Sequence, residues 1–134
     1  MTKISHTYNK VATKYKSEHI EQVHLFSWIK RNAVKHPEMG LIFAVPNGGL
    51  RDKVTAAKMV AEGVNAGIPD IMIPIARDGY HGAFIELKSR RPGARLSKAQ
   101  KDKMSRLTEQ GYKCVVCSGS DEAITFIKQY LTLT

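Results

Sequence analysis

Two apolar runs in the middle of the chain, residues 71–75 (IMIPI) and 83–88 (AFIELK), constrain it more than any other feature. Their β-branched and aromatic content predicts strands, and Arg77-Asp78-Gly79-Tyr80 between them predicts a hairpin turn. A buried strand accepts charge only where the charge is paired or used. Yet Pro69-Asp70 opens the first strand, and Glu86 and Lys88 lie within the second. Side chains on a strand alternate faces, so Glu86 and Lys88 share one face, roughly 6.6 Å apart along the strand, while Leu87 anchors the other. Pairing of the two strands brings Asp70 to the end of that same face.

Around the hairpin the chain reads as alternating elements. Ser17 is a helix N-cap, and SEHIEQVHLFSWIKRNAVKHP is a helix closed by Pro37. Leu25, Phe26, Trp28, Ile29 and Ala33 share one face of it, with Glu18 pointing towards that face and Glu21 at its edge. GLIFAVP is a short strand, and Asn47-Gly48-Gly49 an open turn. DKVTAAKMVAEG is a helix stopped by Gly63. LSKAQKDKMSRLTEQG is a helix capped by Ser97, YKCVVCS a strand apolar on both faces and hence central, and SDEAITFIKQYL a final helix capped by Ser120. This order predicts an α/β sandwich around a mixed sheet.

At 134 residues with 43% apolar content, the chain is expected to bury a core as one domain over residues 17–134. A lysine-rich arm over residues 1–16 precedes it. No apolar run approaches a bilayer span, and the arm is too polar for a secretory leader, so a soluble, intracellular protein is expected. Lys and Arg outnumber Asp and Glu by 21 to 12, a net +9 that suits a polyanionic partner. Cys114 and Cys117 form a C-x-x-C, but in a strand their Cα atoms lie about 10 Å apart with side chains on opposite faces. That argues against a disulfide, which needs under about 7 Å, and no second cysteine pair completes a zinc site. They read as two small core residues.

Two carboxylates converging from neighbouring strands form a hard oxygen site suited to Mg²⁺ or Mn²⁺, to which the Leu87 carbonyl could add a ligand. A lysine on the same face can orient a water and hold the negative charge that develops when a phosphodiester is hydrolysed. Ser97-x-x-Gln100 has two readings. It is a capping box, and Gln100 also shares the inward face of its helix with Met104 and Leu107. Asn47-Gly48-Gly49 is either an ordinary turn or a backbone cradle for phosphate. His81 and Tyr80, beside the hairpin, are assigned no role.

The segments GIPDIMIP, GAFIELKSR and GARLSKAQ, with HIEQVHLFSWI, VPNGGLRDKVTAAKMVAEGVNAGIPD and GYKCVVCSGSDEA, resemble the VRR-NUC (virus-type replication-repair nuclease) family of the PD-(D/E)xK superfamily. The likeness is to the compact stand-alone members of phages and bacteria and runs from about Glu18 to Leu131. It implies a restriction-endonuclease-like three-layer sandwich, with a mixed central β-sheet flanked by helices. It also implies a Mg²⁺- or Mn²⁺-dependent endodeoxyribonuclease working in the cytoplasm of a bacterial host. Asp70, Glu86 and Lys88 match the family's metal-binding and catalytic core, and Gln100 its glutamine beside the active centre. Glu21, or else Glu18, matches an acid of the first helix. Asn47, Gly48, Gly49, Arg51, Lys53, Arg90, Arg91 and Arg95 would contact DNA. The resemblance further implies a homodimer acting on branched DNA such as a Holliday junction. A non-catalytic DNA-binding module on the same scaffold is the alternative, disfavoured by the intact acid-acid-lysine set.

Overall fold

The computed structural model describes residues 15–46 and 53–133. The arm over residues 1–16 therefore lies almost wholly outside the described residues, as do Asn47, Gly48, Gly49 and Arg51. The fold class is the expected α/β one. Helices α1 (Glu18–Asn32), α2 (Lys53–Ala61), α3 (Lys98–Glu109) and α4 (Ser120–Leu131) accompany an open mixed sheet of β1 (Phe43–Ala44), β2 (Ile71–Ile73), β3 (Gly82–Lys88) and β4 (Tyr112–Ser118). The strand order is β1-β2-β3-β4, with β1–β2 and β2–β3 antiparallel.

The hairpin forms where expected. Arg77 and Tyr80 exchange two backbone hydrogen bonds, of 3.2 and 2.8 Å, around Asp78 (φ 50°) and Gly79 (φ 84°). Positive φ at both central residues is the tight hairpin turn that an Asp-Gly pair favours. β3 is buried along nearly its whole length, with Ala83, Phe84 and Ile85 all in the core. Paired on both edges, β3 is an interior strand, as is the shorter β2. YKCVVCS was expected to be central; it is instead β4, at an end of the sheet, with Val116 exposed. Burial on one face of an edge strand suffices to select such an apolar sequence. GLIFAVP also yields less strand than expected: Pro37–Leu41 winds into a 3₁₀ turn and only Phe43–Ala44 is extended.

The chain divides into two compact units. The first contains α1, most of the 3₁₀ turn, Leu87–Arg95, the end of β4 and α4. There α1 packs on α4, burying Leu25, Ile29, Ala123, Ile127 and Leu131. Ser17 caps α1 as expected, its Oγ accepting from Ile20 N at 3.2 Å. The inward face of α1 differs from the expected one: Glu21 is fully buried in line with Leu25 and Ile29 at i, i+4 spacing, and Glu18 is exposed. The second unit, Leu41–Glu86 and Leu96–Val115, holds β1, α2, β2, most of β3, α3 and most of β4. Its core is Ile42, Ile71, Ile73, Ile75, Ala83, Phe84 and Ile85. Both cysteines are reduced, Cys117 in the core and Cys114 partly covered. Among the described residues no helix is long and apolar enough to cross a membrane.

Candidate active site

Within the second unit, the approach to β2 is set by close packing. Gly67 (φ 86°) passes so near the first turn of α3 that an added Cβ would lie 2.5 Å from the Ala99 carbonyl oxygen. Only glycine combines that left-handed backbone with that clearance. Pro69 is fully buried next to it, and Asp70 follows with its backbone already in the sheet: its carbonyl accepts from Val45 N at 2.7 Å. The β2–β3 register pairs Ile71 with Ile85 and Met72 with Phe84. One step further places Asp70 opposite Glu86. Directly opposed residues of antiparallel strands project to the same face, with Cα atoms about 4.5–5.5 Å apart. The two acids, sixteen positions apart in sequence, are cross-strand neighbours.

Glu86 is only 3% exposed. An ionised carboxylate at such depth must be met by hydrogen bonds, because its lost hydration costs several kcal/mol. Gln100 of α3 supplies one: its Nε2 donates to Glu86 Oε1 at 2.8 Å. The same carboxamide closes the capping box of α3. Its Oε1 accepts from Ser97 N at 2.8 Å, and Ser97 Oγ accepts from Gln100 N at 3.1 Å. The two readings of Gln100 are therefore both realised, one at each end of its amide. The cap fixes the oxygen end, so the nitrogen end must face Glu86. Leu87 buries its side chain, and Lys88, half-buried, ends β3 two residues beyond Glu86.

Within the first unit, Glu21 is the centre of a hydrogen-bond and ion-pair network. Its Oε1 accepts from Ser120 N at 3.3 Å and from Ser120 Oγ at 3.2 Å, at the start of α4. Its Oε2 lies 3.3 Å from Arg90 Nε, and Arg90 Nη2 reaches Asp121 Oδ2 at 2.8 Å. Arg90 is held above its usual pKa by the hydrogen bond to Asp121 and by the charge of Glu21. Ser120 was expected to cap its own helix. Gly119 (φ 85°) is the N-cap instead, and the Ser120 hydroxyl serves the buried Glu21. A Cβ at Gly119 would meet Arg90 Nε at 2.3 Å.

Of the expected site residues, Gln100 bonds to Glu86, the β2–β3 register extended by one step sets Asp70 opposite Glu86, and Lys88 follows on the Glu86 strand. Glu21 joins Arg90, Ser120 and Asp121. Lys53, Arg91 and Arg95 are exposed, whereas Arg90, expected as a DNA contact, is 47% exposed and engaged by two carboxylates. Among the described residues no three His, Cys, Asp or Glu side chains converge as a metal site. The donor set that the geometry offers is a pair of acids plus backbone carbonyls. Sequence reasoning missed Gly67, Gly119 and Asp121. The glycines had a signal, since each directly precedes a segment carrying site residues; Asp121 had none.

Comparison with known proteins agrees with this architecture. A family model described as the VRR-NUC domain matches residues 48–121. A solved structure described as a VRR-NUC domain protein is 36% identical, with a TM-score of 0.74, and the alignment covers 90% of this chain and 92% of that one. No curated protein in the comparison matches the chain.

Proposed function

The chain belongs to the VRR-NUC domain family, and on that premise we propose that it is a divalent-metal-dependent DNA endonuclease. The observation that carries this reading is the cross-strand placement of Asp70 opposite Glu86, with the Glu86 carboxylate aimed by Gln100. Two carboxylates on one face fit Mg²⁺ or Mn²⁺, which need few protein ligands and keep waters for the rest. Asp70, Glu86 and the neighbouring Leu87 carbonyl would hold such an ion, which would supply Lewis-acid charge to phosphate oxygens and acidify water.

The protein's own groups do the remainder. Gln100 prevents Glu86 from rotating away from the face it shares with Asp70. Lys88, two residues beyond Glu86 on the same strand, is the proposed donor to the attacking water and would offset charge developing on the phosphoryl oxygens. Glu21 positions Arg90 and the start of α4 through the contacts described above. Arg91, Arg95 and Lys53 are available for backbone phosphates. A small domain reaches one scissile phosphate at a time, so a two-fold homodimer acting on branched DNA is the matching assembly.

The test is cleavage of labelled four-way junction, splayed-arm, duplex and single-stranded DNA with Mg²⁺, Mn²⁺ or EDTA. Metal-dependent cutting is expected, strongest on the junction. Lys88→Ala should abolish it and keep DNA binding. Cutting that persists in EDTA or in Lys88→Ala overturns the chemistry, and binding without cutting under every condition leaves the non-catalytic module. Sedimentation at several concentrations checks the dimer.

A further inference from the structure

We propose that Arg90 is a positioning residue for the chemistry: its guanidinium bridges Glu21 and Asp121 across Gly119 and so holds the strand end that carries Lys88. This role rests on the nuclease reading and replaces the DNA contact expected of Arg90 from the sequence. All five residues belong to the first unit.

The chain leaving β3 is gripped at two places. The Lys88 carbonyl accepts from Gly119 N at 2.9 Å, which ties the last residue of β3 to the N-cap of α4. Two residues on, the Arg90 side chain returns to the same corner. Its Nε lies 3.3 Å from Glu21 Oε2, and its Nη2 lies 2.8 Å from Asp121 Oδ2. The stem passes directly over Gly119, where an added Cβ would come within 3.0 Å of both Arg90 Cγ and Glu21 Oε2. Gly119 is itself buried, so this corner has little room to shift beneath the guanidinium.

Only arginine suits this place. Its planar fork offers donors on two edges at once, whereas a lysine ammonium is a point charge on a flexible stem. The same contacts argue against a phosphate partner, because two carboxylates already meet the charge of Arg90. With the Leu87 side chain anchored in the core and the Lys88 carbonyl bonded to Gly119, the backbone that carries the Lys88 ammonium is fixed on both sides. Such fixing matters for catalysis, since a displacement of about 1 Å can cost on the order of a hundredfold in rate.

The experiment uses the full chain, with kcat and KM for cleavage of labelled four-way junction DNA in Mg²⁺ and DNA affinity over a salt series. Arg90→Ala should lower kcat about ten- to a hundredfold, leaving KM and the salt dependence of binding unchanged. Arg90→Lys keeps the charge without the fork and should fall with it. Asp121→Ala removes an 80%-exposed side chain, which spares the fold, and should lower kcat about threefold in the same way. A phosphate-binding arginine gives the reverse pattern: kcat kept, KM raised and the salt slope shallower by about 0.9. That pattern overturns the proposal, as does an unchanged kcat in folded Arg90→Ala or, where that variant does not fold, in Asp121→Ala. Amide hydrogen exchange at Gly119 reads the clamp without cleavage. It should quicken in Asp121→Ala, and unchanged exchange overturns the clamp. An unaltered chain that cuts no DNA with any metal overturns the nuclease reading instead, and the exchange measurement still tests the clamp.

Discussion

Gln100 donates from Nε2 to the buried Oε1 of Glu86 at 2.8 Å while its own oxygen accepts the Ser97 backbone N–H. One amide thus links the start of α3 to the acid in the middle of the sheet. Its two ends need opposite chemistry, an acceptor for the cap and a donor for the carboxylate. No other natural side chain of that length offers both.

Replacing Gln100 separates the two tasks. Gln100→Glu keeps an acceptor for the cap but sets a second carboxylate against Glu86. It should cost about 1–3 kcal/mol, as an unsatisfied buried charge contact does, and should abolish cleavage. Gln100→Leu loses the cap oxygen and the Glu86 bond together, with a comparable cost of about 1–3 kcal/mol. Urea unfolding at pH 7 and pH 5 checks the difference: acid should narrow the deficit of Gln100→Glu, by protonating one of the paired acids, and leave that of Gln100→Leu. An equal deficit at both pH values would mean that the two carboxyl groups do not face each other.

Gly67→Ala should be among the most damaging small substitutions. A left-handed residue with a Cβ costs roughly 1–2 kcal/mol, and a Cβ 2.5 Å from the Ala99 carbonyl adds about 1–3 kcal/mol of overpacking. The expected result is a lowered urea midpoint, with loss of cleavage even at temperatures where the variant is folded, because the strain moves Asp70 relative to α3. Gly63→Ala, at a left-handed position with open space around it, should show only the backbone cost.

The two acids of the first turn of α1 should behave differently. Glu18 is exposed, so Glu18→Gln should change stability by no more than about 0.5 kcal/mol. Glu21→Gln removes the charge opposite Arg90 from a fully buried position and should cost about 1.5–3 kcal/mol, in the range of hydrogen bonds to charged groups. Equal stability of the two variants in thermal unfolding would show that the Glu21–Arg90 contact is not maintained in solution.

The Cys117 thiol is pushed up to about 11, by burial first and by the charge of Glu122 second. Its folded value lies above that of the unfolded chain, near 9. The folded form therefore keeps a proton that the unfolded form gives up. The associated stability is fully present below pH 9 and is lost as pH rises towards 11, with a slope of at most about 1.4 kcal/mol per pH unit. Urea unfolding of the native chain and Cys117→Ala at pH 8, 9, 10 and 11 should show a shallower alkaline decline in the variant. Parallel declines would place the thiol in water.

The hairpin, the order of helices and strands, and the charged pattern of Asp70, Glu86 and Lys88 were legible in sequence because each depends on neighbours a few residues away. Alternation put Glu86 and Lys88 on one face, and Asp-Gly fixed the turn between the strands. Periodicity alone misplaced the inward face of α1: it favoured Glu18, whereas packing of α1 on α4 selects the line of Glu21, Leu25 and Ile29. It also could not distinguish an edge strand from an interior one, as β4 shows, since one buried face is enough to demand valine and cysteine. What the amino-acid order determined by itself was which residues carry charge into apolar strands. Only the tertiary structure decided who answers that charge, Gln100 for Glu86 and Ser120 with Arg90 for Glu21, because those partners lie 14, 99 and 69 positions away and meet only when the chain is folded.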